Sequence, residues 1–476
     1  MTKRILALLA SAALAGACND ATGVPDLNNV SAETIAGGLT TASAQLLATG
    51  LMNQYRNSAI GNFVVFPETM ARDALRIDKA ETRYLTELIG AVQPDNGAFT
   101  GGGVFGAFFV GIRSANTLID AAVGATDASG LTSANRQGLI GIGQTMKALN
   151  EWNVLQFRDS IGMPIDLDHD INAQPAPFLC KPLVLAYISS LLDSAATALG
   201  AGGATFSVTL PSGYRAVAGT PAGFLKFNRG IKAEVELYRG LSRQGGTGAA
   251  GFNAAVAALN ASFMQSSDLS PSGLSLGVYE NYSTAAGETQ NARVDAALHL
   301  NQAVADSILP GDLRASKIVK AASPYTISTN GATISTQYDF VLSLGSGSLT
   351  APLPILKNEE LLLLRAQAAI ELGDLATATT YINFVHTKSG GLTAYPTFAS
   401  AAAARTALLY EKRYSLLFEG PQRLVDLRAY GLLNSTNFKP GTSNSPFPGD
   451  IFTSALPIPI AELNARPNGT APLTCG

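Results

Sequence analysis

Charge is scarce in this chain: Asp, Glu, Lys and Arg make up 14% of its 476 residues, and the formal net charge is −3. It holds no basic run, no CxxC pair and no aromatic-and-basic module, which argues against a nucleic-acid partner. Histidine is scarcer still. His169, His299 and His386 lie far apart and there is no HExxH, so neither a zinc protease nor a histidine triad is indicated. Beyond the first residues, no uncharged apolar run reaches the ~20 residues of a membrane-spanning helix. A single tryptophan, Trp152, leaves few large rings for recognition. What remains is 47% hydrophobic, ordinary for a globular protein and ample for a large core.

The N-terminus is the first positive signal. Lys3 and Arg4 precede an uncharged run from Ile5 to Ala17, which closes on the small residues Ala15, Gly16 and Ala17. That pattern is a secretory signal over 1–17. Cys18 stands where the mature chain begins, and "LAGAC" resembles a bacterial lipoprotein box with Ala15 in place of the usual Leu. The resemblance implies a lipidated Cys18, a tether over 18–31 and, with Asn19 rather than Asp, sorting to the outer membrane. Acyl chains at ~0.8 kcal/mol per buried CH₂ make such a cysteine a firm anchor. The other two cysteines, Cys180 and Cys475, are a disulfide candidate in an oxidising compartment, with two free thiols as the alternative.

Along the chain, apolar residues recur at helical spacing over Leu39–Arg56, Phe105–Ile119, Leu139–Trp152, Pro182–Leu199 and Phe224–Leu241. Residues 200–220 and 265–350 are rich in Gly, Ser, Thr, Pro and Tyr, and are expected to be long loops with a few small strands. A helical hairpin follows: Glu359–Leu372, a Gly373-Asp374 turn, then Leu375–Lys388, with Ala366, Ala369 and Ala378 allowing close packing. It resembles one tetratricopeptide unit.

Several motifs carry only plain readings. "GGGVFG" (101–106) fits G-x-G-x-x-G but follows no strand. "GLSLG" (273–277) fits a nucleophile elbow around Ser275, yet lies in a Ser/Pro-rich loop. "DLDHD" sets Asp166, Asp168 and Asp170 at alternate positions like the start of a calcium loop. Ile171 and Pro177 stand where its Gly and Glu belong, so a solvated loop is the expectation and no metal is assigned.

The densest charge lies in "YEKRYSLLFEGPQRLVDLRAYG", Tyr410 to Gly431, with Glu411, Lys412, Arg413, Glu419, Arg423, Asp426 and Arg428. Gly420 ends one helical stripe and Pro421 suits the first turn of the next. Arg423 and Asp426, three apart, share a helix face. Among so many leucines these charges are expected to be half-buried and paired, and to serve the fold.

This stretch resembles the C-terminal signature of SusD/RagB outer-membrane lipoproteins at Glu411, Arg413, Glu419, Gly420, Arg423, Asp426, Leu427 and Gly431. Lys412 replaces an Arg, and Ser415 a usual acid. "FFVGIRSANTLID", "GQTMKALNEWNVLQFRDSIGMPI", the hairpin and "ALPIPIAELNARPN" resemble further family segments, in order. The resemblance implies a mainly α fold, a tetratricopeptide-like α-α superhelix with long irregular loops and a few short strands. It divides the mature chain into an N-terminal helical region over 32–264 and a C-terminal region over 265–476 bearing ligand-face loops. It further implies a cell-surface lipoprotein that binds an oligomeric nutrient, oligosaccharide or peptide, and delivers it to a SusC-type TonB-dependent β-barrel. Neither catalysis nor a cofactor is implied. With Trp152 in a scaffold helix, any stacking platform comes from Phe63, Phe66, Phe99, Tyr279, Tyr282, Tyr325 or Tyr338, for each of which ordinary packing is the plainer reading. A secreted polymer hydrolase on a helical scaffold is the rival expectation.

Overall fold

The computed structural model describes residues 38–58, 61–102, 105–165, 167–168 and 173–466. The signal, the tether, Cys18 and Cys475 lie outside the described residues. The first half is a stack of helices. α1 (Thr41–Ser58) packs on α3 (Phe105–Gly124), with α2 (Asn62–Met70) and the short strand β1 (Ala74–Arg76) between them in sequence. Neighbours then pair in order through α4 (Ser133–Arg158), α5 (Lys181–Gly200), α6 (Pro221–Leu241) and α7 (Ala249–Asn260).

Local signals set these limits. Thr132 and Asn135 form a reciprocal capping box at the start of α4, and Thr220 accepts from the Gly223 amide ahead of Pro221 in α6. Gly141 is required where α4 meets α5, because a Cβ there would stand 2.4 Å from the Leu199 side chain. Among the described helices, α5 is long and apolar enough, by length and composition alone, to cross a membrane. In α5, however, Val184, Leu185, Ile188 and Leu192 are buried in the main core.

The second half mixes strands with helices. β2 (Gly277–Glu280) pairs with β6 (Leu353–Lys357). A second, antiparallel sheet runs in the order β1, β3 (Leu298–Leu300), β5 (Ala332–Phe340), β4 (Ile318–Thr329). The β4–β5 hairpin is longer than the few small strands expected, and residues 212–218 form a short helix where a loop was expected.

The hairpin of α8 (Asn358–Glu371) and α9 (Leu375–Lys388) forms as the sequence predicts. Gly373 turns it at φ +81°, and Asp374 caps α9 by accepting from the Thr377 amide at 3.0 Å. α10 (Ala401–Ser415) packs on both members and leads to α11 (Gln422–Ala429); α12 (Ile460–Asn464) closes the described chain. α8 explains its own Leu361–Leu364 run. Leu361, Leu364 and Ala368 enter the main core, while Leu362, Leu363, Ala366 and Ala369 enter a second core with α9 and α10. A helix buried on both sides is apolar nearly all round, and each buried leucine contributes about 1.5–3 kcal/mol. The main core itself draws on residues from Leu39 to Leu456, so both sequence regions share it.

Candidate functional site

The second sheet gathers the accessible part of the expected aromatic set. Tyr325 and Tyr338 are half-buried on β4 and β5. The Tyr325 ring stacks on His299 at 3.7 Å between centroids, and its hydroxyl donates to Asp339 Oδ2 at 2.9 Å. Asp339 Oδ1 lies 2.6 Å from His299 Nδ1. The bond to Asp339, followed by burial, holds the Tyr325 phenol above its ordinary pKa. An irregularity in the ladder between Lys320 and Tyr325 lets Tyr325 reach Asp339, three positions from its register partner Thr336. Tyr338 opposes Lys320 across the ladder, with the ammonium 5.9 Å from its ring centroid.

A second aromatic group adjoins the β1 edge. Phe66, Tyr84 and Phe99 form an edge-to-face trio with centroids 4.8–5.5 Å apart. The Arg76 guanidinium lies 4.4 Å from the Tyr84 centroid, and that of Arg83 lies 4.5 Å from Phe99. Arg76 also pairs with Asp78 and Asp295, so β1 ties this trio to the strand pair that carries His299. Tyr84 was not among the residues expected here. Its only sequence signal is an aromatic beside the apolar residues Leu85, Leu88 and Ile89.

Three expected platform residues belong to the core instead. Phe63 and Phe66 lie on α2, where every residue from Phe63 to Met70 is buried, and Phe63 packs against Phe108 and Phe157. Tyr282 is 6% exposed. None of the three offers a free ring face. Tyr279 is half-buried on β2, and its hydroxyl donates to the Ser275 carbonyl. Ser275 Oγ itself donates to the Pro271 carbonyl at 2.7 Å, while His299 and His386 are engaged by Asp339 and Glu411. Among the described residues no group of three or more His, Cys, Asp or Glu is placed to hold a metal ion. Cys180 is disulfide-bonded, and both other cysteines lie outside the described residues.

The charge cluster is a set of buried pairs with distant partners. Glu411 is held by Arg314 at 2.7 Å and His386 at 2.8 Å, and burial still raises its pKa. Arg413 donates to Asp73 through Nη2 at 2.6 Å, and Lys357 binds Glu419 at 2.7 Å. Asp426 differs from expectation: its partner is Lys412 at 2.7 Å, joined by Tyr238 and Gln367. Arg423 is half-buried with Nε lacking any hydrogen-bond partner; burial and the nearby Arg413 both push its pKa down. Three-residue spacing put Arg423 and Asp426 on one helix, but Asp426 turns toward the ammonium from α10.

The chain matches no protein-family model and no curated protein. Its structure is similar to that of a SusD superfamily protein from Bacteroides fragilis, with 17% identity, a TM-score of 0.65, and coverage of 90% of this chain and 98% of that one. A SusD superfamily protein from Bacteroides thetaiotaomicron gives 16% identity and a TM-score of 0.65, over 90% and 99% of the two chains. A SusD-like carbohydrate binding protein from Bacteroides vulgatus gives 15% identity and a TM-score of 0.57, over 82% and 84%. The mainly helical, tetratricopeptide-type architecture with small sheets is therefore the fold of the SusD superfamily.

Proposed function

We propose that the protein is a lipid-anchored outer-membrane binding protein that captures an oligomeric nutrient, foremost an oligosaccharide, and passes it unaltered to a SusC-type TonB-dependent transporter. The observation that carries this reading is the likeness of fold over about nine-tenths of the chain, together with one such neighbour being a carbohydrate binding protein. The second sheet supports it: Tyr325 is a half-exposed ring fixed by His299 and Asp339, and ring orientation costs a ligand nothing further on binding. Cys18 is the anchor in this reading. A tether confined to the membrane plane raises the effective concentration of a weakly held barrel.

The test is titration of the purified protein with an oligosaccharide panel. Binding should occur, and Tyr325→Ala should weaken it at an unchanged melting temperature. Mild detergent extraction should recover a large β-barrel with the wild type, and fatty-acid labelling should mark it but not Cys18→Ala. Cleavage of the ligand that persists through repurification would overturn the reading.

A further inference from the structure

Helices α10 and α11 and the segment 432–444 line a cleft of about 390 Å³, with Ser307 of the short helix Gln302–Ser307 in its wall. None of the lining residues belongs to the Tyr325 sheet or to the aromatic trio described above. Among the described residues the cleft is lined by two arginines, Arg413 and Arg423, and by no acid. The half-buried Tyr410 ring is fixed in the wall, its hydroxyl donating to Asp312 Oδ2 at 2.7 Å. Within the described protein the Asn444 side chain makes no hydrogen bond, and Asn437 uses only its Nδ2, on Asn434.

The two arginines have one carboxylate to serve both. Arg413 gives Nε and Nη2 to Asp73, at 3.1 and 2.6 Å, and leaves Nη1 without a partner. Arg423 is half-buried and makes no hydrogen bond or ion pair among the described residues. Its Nε is covered by protein, whereas Nη1 and Nη2 remain accessible. The other acids nearby are committed. Asp426 pairs with Lys412 and Asp312 with Arg314, while Glu68 accepts from the Phe418 amide, its pKa held well above the usual carboxylate range by burial. Burial, and then the neighbouring Arg413, weakens the hold of Arg423 on its proton. An anion arriving from solvent would relieve both effects.

We propose that this cleft binds an acidic sugar residue, with its carboxylate on the Nη1/Nη2 end of Arg423 beside Arg413 and its hydroxylated ring against Tyr410, Asn437 and Asn444. The planar fork of a guanidinium matches the two oxygens of a carboxylate. A half-buried aromatic ring with free amide groups beside it suits the body of a sugar, and the volume lies within the range of small-ligand pockets. This site is apart from Tyr325, and it stands or falls separately from the nutrient-binding reading.

The experiment is calorimetric titration of the full mature protein with the methyl glycosides of glucuronic and galacturonic acid, each beside its neutral carboxyl ester. At least one acid should bind, and its ester and plain acetate at least about tenfold more weakly, as loss of a charge-assisted pair or of the ring implies. Arg423→Gln should erase the preference for acid over ester, and with no hydrogen bond to lose it should fold as the wild type does. Thr406 is exposed on α10 and lines the cleft, so Thr406→Glu should weaken binding of the acid, spare the ester and leave the melting temperature unchanged. Tyr325→Ala should leave acid binding intact. Failure of both acids to bind, equal affinity for acid and ester, or acetate matching the acid would each overturn the proposal. So would an undiminished preference for acid in Arg423→Gln, undiminished acid binding to Thr406→Glu, or loss of acid binding in Tyr325→Ala.

Discussion

Replacing Glu151 with Gln should stabilise the protein at neutral pH, although Glu151 is a native residue of the longest helix. It sits within α4 at 0% exposure, and neither carboxyl oxygen has a hydrogen-bond partner. Burial raises its pKa from 4.5 to about 8, with Lys147 one turn away opposing only in part. The native state therefore keeps a proton that the unfolded chain gives up between these two values. Stability falls as pH rises through that window, by about 1.4 kcal/mol per pH unit, and is level on either side of it. At pH 7 the accumulated loss is roughly 3 kcal/mol. Gln keeps the shape and carries no titrating proton. Lys147 loses little by the change, since the carboxyl it faces is mostly protonated at pH 7. Urea unfolding followed by Trp152, itself buried, gives the assay. The gain of Glu151→Gln over wild type should be near zero at pH 4.5 and grow steadily to pH 7. Glu280 and Glu360, also raised to about 8 by burial, give both proteins the same background slope, which cancels in the difference. A gain that does not change with pH, or a loss at pH 7, would refute the argument.

Asp426→Ala leaves the Lys412 ammonium buried without its carboxylate and should cost on the order of 3–5 kcal/mol, measured as a drop in urea midpoint. Arg423→Ala breaks no hydrogen bond to Nε and removes a charge opposed by Arg413, so it should shift stability by less than about 1 kcal/mol. Cys475 is the proposed partner of the bonded Cys180: non-reducing peptide mapping should find the linked pair, and Cys475→Ser should leave Cys180 open to alkylation in denaturant. Tyr325→Phe removes the bond to Asp339 but keeps the ring, so oligosaccharide affinity should fall less than for Tyr325→Ala.

What the sequence disclosed depended on how local the cause was. The α8–α9 hairpin was legible because its turn, cap and small residues lie within 30 positions and act on one another directly. The β4–β5 hairpin was hidden. Pro324 and a run of Ser and Thr give β4 the composition of a loop, and β5 also pairs with β3, some 30 or more residues earlier. The burial of Phe63 and Phe66 was hidden because the sequence alone does not distinguish a loop from a buried helix there: "FVVF" in α2 has no polar face to announce which side meets solvent. Membership of the charge cluster could be read from its density. Its partners could not, because Asp73, Arg314 and Lys357 approach from remote segments with no spacing rule to connect them.

Those remote partners give the cluster its purpose. Residues 68–73, at the junction of α2 and β1, are bound to the C-terminal stretch at several points: Asp73 by Arg413, Glu68 by the Phe418 amide at 2.9 Å, and Arg72 by Asp450 at 2.6 Å. Phe418 stands at φ +63°, a conformation costly for a bulky side chain. It is held there by the Glu68 bond, by Arg293 donating to its carbonyl at 2.9 Å, and by its ring stacked 4.1 Å from Phe340 of β5. Three separate contacts over-determine one strained residue, and two of them reach the segments that bound the second sheet. The charged stretch thus fixes β1 and β5, and through them the placement of His299, Asp339 and Tyr325, without itself touching the face they form. Buried ion pairs contribute little net stability relative to apolar packing, but they tolerate few alternative arrangements. That trade suits a scaffold that, in the function proposed above, holds the half-exposed Tyr325 ring in one orientation.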